Sequence, residues 1–560
     1  FTLYNYDSYN RPTSVSSPTN KISYSYSSKK QTTNLYDLSN NLIESKTQTF
    51  NCAGELITVA DAGGTINYYY YSTGLTKKIS YNNYDILFEY DHLGNKTKIV
   101  DPNAGTISYV YDAWGNMTRQ IDNETHIYNM TYDIMGRLLT KIGPDGTVTY
   151  TYDTKPYGLG KIATETHSNG MSKEYFYDNL TRNYKITETV ENKQYSYTYT
   201  YDNLDRISTI LYPSGFEIKN IYNNFGYLTQ IVNKKDNKPL WQLNEMNHLG
   251  QITQYTLGNN RITNINYNPN NHLLQSIETP GVQSYSYNFN PANGNLENRT
   301  INNVTETFTY DNLNRLTSFK TANNNPLSIS YAPNGNIQQF DGIGTYSYST
   351  AKPNAVSNIV GNYQPPQQQN ITYTAFNKVS QITEGQYRLD FVYNASQQRK
   401  ITKLYKNNQL EKTKYFFGKY EKEVKSDGEK HINYIFAPTG LVGMYITNNN
   451  NQQGQMYYIY TDHQGSITEI TNQQGALLQR FVYTPWGNRQ LTIDNTGIGV
   501  PLTDRGYTTH EHLQEFSLIN MNGRLYDPTI ARFLSPNNYV QATDYTQSFN
   551  RYTYCFNNPL

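Results

Sequence analysis

The 560 residues carry 46 lysines and arginines against 45 aspartates and glutamates, a net charge of +1, and without a basic block or stripe that balance excludes an electrostatic nucleic-acid footprint. Only 36% of the chain is hydrophobic, yet 57 residues are tyrosine; aliphatic side chains are too sparse for several ordinary cores, so tyrosine must supply most of the buried area, which it does best in strands where its hydroxyl meets a polar partner. No apolar run approaches a membrane span, no secretory signal opens the chain, and two remote cysteines, Cys52 and Cys555, make no disulfide framework and read as small hydrophobes.

The chain opens at Phe1 inside a repeat and reads as a piece of a longer polypeptide. From there the organising pattern is Tyr-Asp, a turn, and a short apolar-polar strand. It runs YDHLGNKTKI from Tyr90, YDAWGNMTRQI from Tyr111, YDIMGRLLTKI from Tyr132, YDNLTRNYKI from Tyr177 and YDNLDRISTI from Tyr201. It continues as YNNFGYLTQI from Tyr222, YNPNNHLLQSI from Tyr267 and YDNLNRLTSF from Tyr310, with weaker copies at Tyr36, Tyr152, Tyr287, Tyr331, Tyr373 and Tyr393. A period of roughly 20 to 25 residues suits two strands and two turns.

Each part of the unit has a physical reason. Alternation before Tyr-Asp, as in Tyr195, Tyr197, Tyr199 and Tyr201, puts the rings on one face of a strand. The aspartate accepts backbone N–H groups in an Asx turn, and Gly94, Gly115, Gly136 and Gly226 supply positive φ. A second turn, such as Pro144–Gly146 or Pro213–Gly215, closes the unit. Helical periodicity is nowhere sustained. One unit buries too little ring area to offset the ordering of its own backbone, so neighbours must pair edge to edge into a long twisted ribbon.

These Tyr-Asp units with Gly-Arg-Leu turns resemble the YD repeats of RHS proteins, Tc-toxin B and C components and teneurins. The resemblance covers roughly the first 400 residues and tolerates Asn223, Asn268, Asn288 and Asn394 in place of the motif aspartate, because an Asx turn accepts either residue. Farther along, YTDHQGSITEITNQQGALLQRFVYTPWGNR from Tyr460, RGYTTHEHLQEFSLINMNGRLYDPTIARFLSP from Arg505 and QSFNRYTYCFNNPL to Leu560 are similar to the RHS-associated core. The resemblance implies an all-β fold: tandem YD-repeat hairpins spiralling into a hollow shell, with a C-terminal core plug. The expected division is a shell over 1–405, transitional repeats over 406–456 and the core over 457–560.

The resemblance also implies a site. The core's self-cleavage is thought to be aspartyl-protease-like, with two carboxylates of divergent pKa and a nearby arginine. Matched onto this chain, Arg524 takes the arginine position, Asn537 stands where the family has its first aspartate after Ser-Pro, and the second aspartate would lie past Leu560. Asparagine cannot ionise and so cannot act as a base; this chain is expected not to cut itself. Asp527, in a Tyr-Asp-Pro, reads as a turn-former.

Other constellations read as structural. His510, Glu511, His512 and Glu515 read as surface turn polarity rather than a metal site, and Asp462–His463 as a repeat turn, since no nucleophile elbow accompanies it. Asn448–Asn451 and Gln364–Asn370 read as loops, and Trp114, Trp241 and Trp486 as packing residues. No cofactor or metal is expected. The family implies a shell that encloses its own C-terminal toxin polypeptide as cargo, with a further shell chain and export or delivery machinery as partners, in a protein secreted or delivered by a bacterial system. The rival reading is an extracellular adhesion or recognition module like the teneurin shell.

Overall fold

A computed structural model describes residues 2–322, 324–364, 368–449 and 451–560. Among them run 50 β-strands, from β1 (Leu3–Tyr6) to β50 (Arg532–Phe533), with four short 3-10 turns and no α-helix. Strands β1 to β34 (Val356–Val360) form one 34-stranded sheet, β35 (Asn370–Tyr373) to β46 (Arg489–Asp494) a 12-stranded sheet, and β47 (Glu511–Leu513) to β50 a 4-stranded sheet. Within each sheet a strand pairs antiparallel with its neighbours in sequence, as in the run β17 (Ser172–Tyr177), β18 (Asn183–Val190), β19 (Lys193–Tyr201) and β20 (Ile207–Leu211). The chain is a ribbon of consecutive hairpins.

The turn chemistry explains why this sequence makes that ribbon. After Tyr132, Asp133 Oδ1 accepts the N–H groups of Met135 and Arg137, each at 2.9 Å, while Oδ2 takes Arg137 Nε at 2.6 Å. Gly136 sits at φ 75°, left-handed backbone that glycine adopts without cost. Asn223 serves equally, accepting Phe225 and Tyr227 N–H groups at 3.0 Å. The motif tyrosine closes its strand at a bulge, between Thr131 and Tyr132 for example.

Its hydroxyl then reaches back one repeat. Tyr132 donates to Met117 O at 2.8 Å, Tyr152 to Leu138 O at 2.9 Å, Tyr177 to Ile162 O at 2.7 Å and Tyr331 to Leu316 O at 2.8 Å. The motif arginine completes the clasp: Arg137, Arg182 and Arg206 bond their own turn's aspartate while lying 4.3 to 4.4 Å from the ring centroids of Tyr152, Tyr201 and Tyr222 in the next repeat. Each repeat therefore holds its successor.

The ribbon winds back onto itself. Asn20 donates to Ala292 O (272 residues on), Asn103 to Asn354 (251), Asn169 to Tyr393 O (224), Tyr197 to Phe417 O (220) and Tyr212 to Tyr434 O (222). One coil of a spiral thus takes between 220 and 272 residues along these contacts. The edge carrying the second turns of the first coil lies against Tyr-Asp-type turns of the next, where Tyr81 reaches Pro333 O and Asn169 reaches Tyr393 O. A core cluster from Met171 to Tyr460 spans the seam, with Tyr195 stacked on Phe417 at 4.1 Å and Phe216 on Tyr445 at 4.3 Å. This is the hollow β-shell that the repeats imply.

Several side chains stand elsewhere than the sequence reading puts them. Trp114, in the turn after Tyr111, is 86% exposed, whereas Trp241 and Trp486 are buried as expected. Cys52 and Cys555 are both exposed rather than packed. Glu511 and His512 are buried in a strand, not in a surface turn. Asn448 and Asn451 each belong to a strand, and Asn450 lies outside the described residues; of Gln364–Asn370, residues 365–367 lie outside them and Asn370 opens β35.

The tyrosine ladder of Lys193–Tyr201 does share one face, with Tyr197 and Tyr199 stacked at 6.2 Å, but Tyr199 is only half-buried whereas Tyr212 is fully buried at the seam. Tyr212→Ser is therefore expected to cost ~3–5 kcal/mol and Tyr199→Ser about half that, by the logic of large-to-small core changes. Shifts in the urea midpoint measure both. Equal shifts would mean that the seam between coils carries no special share of the stability.

Candidate functional site

The last strands form the small sheet in which the sequence places its candidate residues. Strand β48 (Leu518–Asn520) turns into β49 (Leu525–Asp527) through a tight hairpin in which Met521 N–H donates to Arg524 O at 3.0 Å, and β49 pairs with β50. That hairpin directs Arg524 over the ring of Phe533, with its guanidinium carbon 3.5 Å from the centroid. Arg524 Nη1 donates to Arg551 O at 2.9 Å, and Asn537 N–H donates to the same carbonyl at 3.0 Å. Arg551 Nη1 returns a bond to Asn537 O at 3.1 Å. Two residues singled out from sequence thus converge on one backbone carbonyl.

The electrostatics there are unusual. Burial pushes Arg524 down to about 10, and among the described residues no carboxylate pairs with it. Among the described residues, Asn537 Oδ1 accepts only a long bond, 3.4 Å, from Tyr539 N–H. The carboxylate that does reach the site is Asp101, buried at the end of β10 (Lys96–Asp101) and paired with Arg551 Nη2. Asp101 Oδ1 also accepts the N–H groups of Asn103 and Ala104. Sequence reasoning missed both partners: Arg551 lies in the quoted closing signature with no role attached, and nothing in the sequence links it to a turn in the first coil.

Asp527 stands at the opposite end of β49 from Arg524. It accepts the N–H groups of Thr529 at 2.8 Å and Ile530 at 3.3 Å, a turn-former as expected, and burial raises it to about 6. No second carboxylate faces it among the described residues' ion pairs. Among the described residues the arrangement therefore holds an arginine, an amide and a carbonyl in register, but no acid–base pair.

The remaining candidates are structural. Asp462 Oδ1 accepts the N–H groups of Gln464 and Ser466, the repeat turn again. Glu511 pairs with Arg399 at 2.5 Å and Lys414 at 2.8 Å, and Lys414 reaches Asp504 at 3.1 Å and Glu421 at 3.4 Å. Lysine and arginine so close hold the carboxyl of Glu511 down to about 2 against a desolvation that raises it. His512 Nε2 accepts Tyr507 N–H at 3.0 Å. Among the described residues no group of three His, Cys, Asp or Glu could hold a metal, and no helix is long and apolar enough to cross a membrane.

With the geometry in view, comparison with known proteins places the chain. The Teneurin YD-shell family profile matches residues 71–303 and 292–560. The Salivary gland surface protein 1 of Aedes aegypti is 31% identical over 138 residues, covering 24% of this chain and 4% of that protein. Among solved structures, the TcdB2-TccC3-Cdc42 crystal structure is similar over 100% of this chain and 33% of its own, at TM-score 0.85 and 15% identity. The Tc holotoxin pore of Photorhabdus luminescens is similar over 100% of this chain and 33% of its own, at TM-score 0.83 and 14% identity. The chain spans about a third of those structures' chains and a small part of the insect protein.

Burial also sets a pH dependence. His463, wedged 4.7 Å from Tyr287 and 5.8 Å from Phe289 with neither ring nitrogen hydrogen-bonded, is pushed down to about 3 by desolvation and then by Arg299. A histidine with a depressed folded pKa binds fewer protons folded than unfolded, so its contribution is intact above ~6.5 and is lost as pH falls toward its folded value. Asp527, raised by burial, works in the opposite direction, so the histidine is isolated by substitution. His463→Phe should gain on the parent chain by ~1.4 kcal/mol per pH unit between about pH 6 and 4, read from urea midpoints. A pH-independent difference would mean that His463 is solvated in the folded protein.

Proposed function

The chain belongs to the Teneurin YD-shell family, and we propose that it is part of a closed β-shell that encloses a polypeptide cargo running on from its own C-terminal core. The observation that carries this reading is how the core is held. Residues after Arg505 brace both coils at once: Tyr68 and Tyr84 of the first coil donate to Thr543 O and Phe549 O, while buried Arg532 donates to Gly335 O at 2.9 Å and Asn557 Oδ1 at 2.9 Å. Pro559 O, next to the last residue, accepts from Tyr507 Oη at 3.1 Å and Gln464 Nε2 at 2.6 Å. Tyr507 is fully buried, so a segment following Leu560 would start from an anchored point.

The likeness to TcdB2-TccC3, one of whose structures is described as lacking a hypervariable C-terminal region, supports a variable C-terminal cargo. Delivery from a bacterial cell, together with a further shell chain, belongs to the same proposal. A second reading, a surface recognition module, draws on the surface protein of Aedes aegypti; it requires no cargo.

The processing step is part of the proposal. Water attack on a peptide carbonyl needs one ionised carboxylate to take the proton and one protonated carboxyl to polarise the bond. Arg524 would hold the ionised partner, and Asn537 stands in its place as a neutral amide. The 64.6 kDa chain should therefore keep its full mass on prolonged incubation, with or without Asn537→Asp, by mass spectrometry. In a polypeptide extended past Leu560 by the family's downstream aspartate segment, Asn537→Asp should release a C-terminal fragment and Arg524→Ala should suppress that release. The same extended chain tests enclosure: an added segment should resist a protease that cuts it freely when separate. Release with Asn537 retained would sink the site assignment, and equal digestion would sink enclosure.

A further inference from the structure

A cavity of about 510 Å³ opens at the seam where strands β22 (Leu228–Asn233) to β26 (Leu274–Thr279) of the first coil meet two turns of the second. Its wall is a patch of sheet. Leu243 stands opposite Tyr255, Met246 opposite Ile252 and Ile265 opposite Ile277, and residues directly opposite share a face. All six line the cavity. The other side is polar. It carries Thr439, in the turn from β41 (Gly428–Ala437) to β42 (Gly440–Asn448), with Asp462 and His463 in the turn after β43 (Asn451–Thr461).

The turn has no use for the His463 ring. Asp462 Oδ1 accepts the N–H groups of Gln464 at 3.0 Å and Ser466 at 2.8 Å, and Gly465 takes the left-handed place at φ 82°. In other repeats the residue after the motif aspartate is Ala113, Ile134, Asn179 or Asn203, so the motif makes no demand there. Yet both ring nitrogens of His463 are buried without a hydrogen-bond partner among the described residues, and so is Thr439 Oγ1. Buried polar atoms are rarely left so, because an unmet one costs free energy. Two such side chains on one cavity call for a partner from outside the chain.

The chemistry of the cavity narrows that partner. Desolvation and Arg299 keep His463 uncharged near neutral pH, so its ring offers one N–H and one acceptor nitrogen, while the threonine hydroxyl can do either. The charges close by are already committed, Asp462 to its turn and Arg299 to Glu306 at 2.7 Å. An ionised head group would leave water with no free counter-ion among these residues. Water alone would meet the polar atoms but leave the apolar wall wet. A cavity of this size, mostly apolar with a few polar groups, has the ordinary make-up of a small-molecule site.

We propose that this seam cavity binds an uncharged amphiphile, a long-chain alcohol whose aliphatic body lies on the face of β22 to β26 and whose hydroxyl bonds His463 and Thr439. A hydroxyl both donates and accepts, as those two side chains require. The wall comes from the first coil and the polar end from the second, so the site exists only where the coils meet. This inference rests on the seam between coils, and not on the enclosure of a cargo.

Decanol is the probe, in equilibrium dialysis against the 560-residue protein, with decanoate and decylammonium for comparison. Decanol should bind saturably at one site per chain, and either ion at least ~tenfold more weakly. His463→Phe keeps an aromatic ring and removes its hydrogen bonds, so affinity should fall ~tenfold, and Thr439→Val should lower it ~threefold. Ile252→Trp should fill the cavity and abolish binding. Urea midpoints show which variants fold, and Thr439→Val, the smallest change, carries the test should His463→Phe lose its packing. Non-saturable uptake of decanol, equal affinity for the alcohol and the two ions, or undiminished affinity in both polar variants would overturn the proposal. So would loss of decanol binding in the polypeptide extended past Leu560, which would give the cavity to a polypeptide segment. Protease protection of that segment reads enclosure separately, so either idea can fail alone.

Discussion

The structure depends on a clasp of three side chains passed from repeat to repeat. An aspartate ties its turn through two backbone N–H groups, an arginine four residues on bonds that carboxylate and lies against the next tyrosine ring, and that tyrosine's hydroxyl returns to a carbonyl of the earlier repeat. None of these contacts is strong alone at a partly exposed site. Repeated along the ribbon they fix the turn, the bulge and the spacing between hairpins together, and a chain poor in aliphatic residues gains order from hydrogen-bonded aromatic area.

A ribbon with fixed local geometry still needs a reason to close. Between coils the contacts change character, from turn chemistry to stacked rings and side chains that bond carbonyls across the seam: Tyr197 to Phe417 O, Tyr212 to Tyr434 O, and Asn259 to Tyr460 Oη and Thr471 Oγ1. Here the backbone edge of one coil is satisfied by the side chains of another, which seals the wall.

The C-terminal core is fastened by charge. Lys414 is buried among Glu421, Asp504 and Glu511, with Arg505 on Glu421 and Arg399 on Glu511. Removing one partner from such a cluster strands a buried charge, so its worth lies in admitting a single docking of the core on the sheet of β35 to β46. Arg551 with Asp101 does the same against the first coil, and its backbone carbonyl is where Arg524 and Asn537 meet.

Sequence alone determined whatever is local. The Tyr-Asp turns, the alternating strands, the use of asparagine at position 223, and the turn roles of Asp462 and Asp527 all follow from hydrogen bonds within a few residues. The motif also led to Arg524 and Asn537. What only the tertiary structure decided are contacts across 200 residues or more, such as Asn103 with Asn354, which no local period encodes. Glu511 and His512 lie in a turn-like, polar stretch and are buried because another sheet covers them, whereas Trp114 is apolar and stands exposed at its turn. Burial in a spiral is set by the neighbouring coil, and the repeat is blind to which coil it is in.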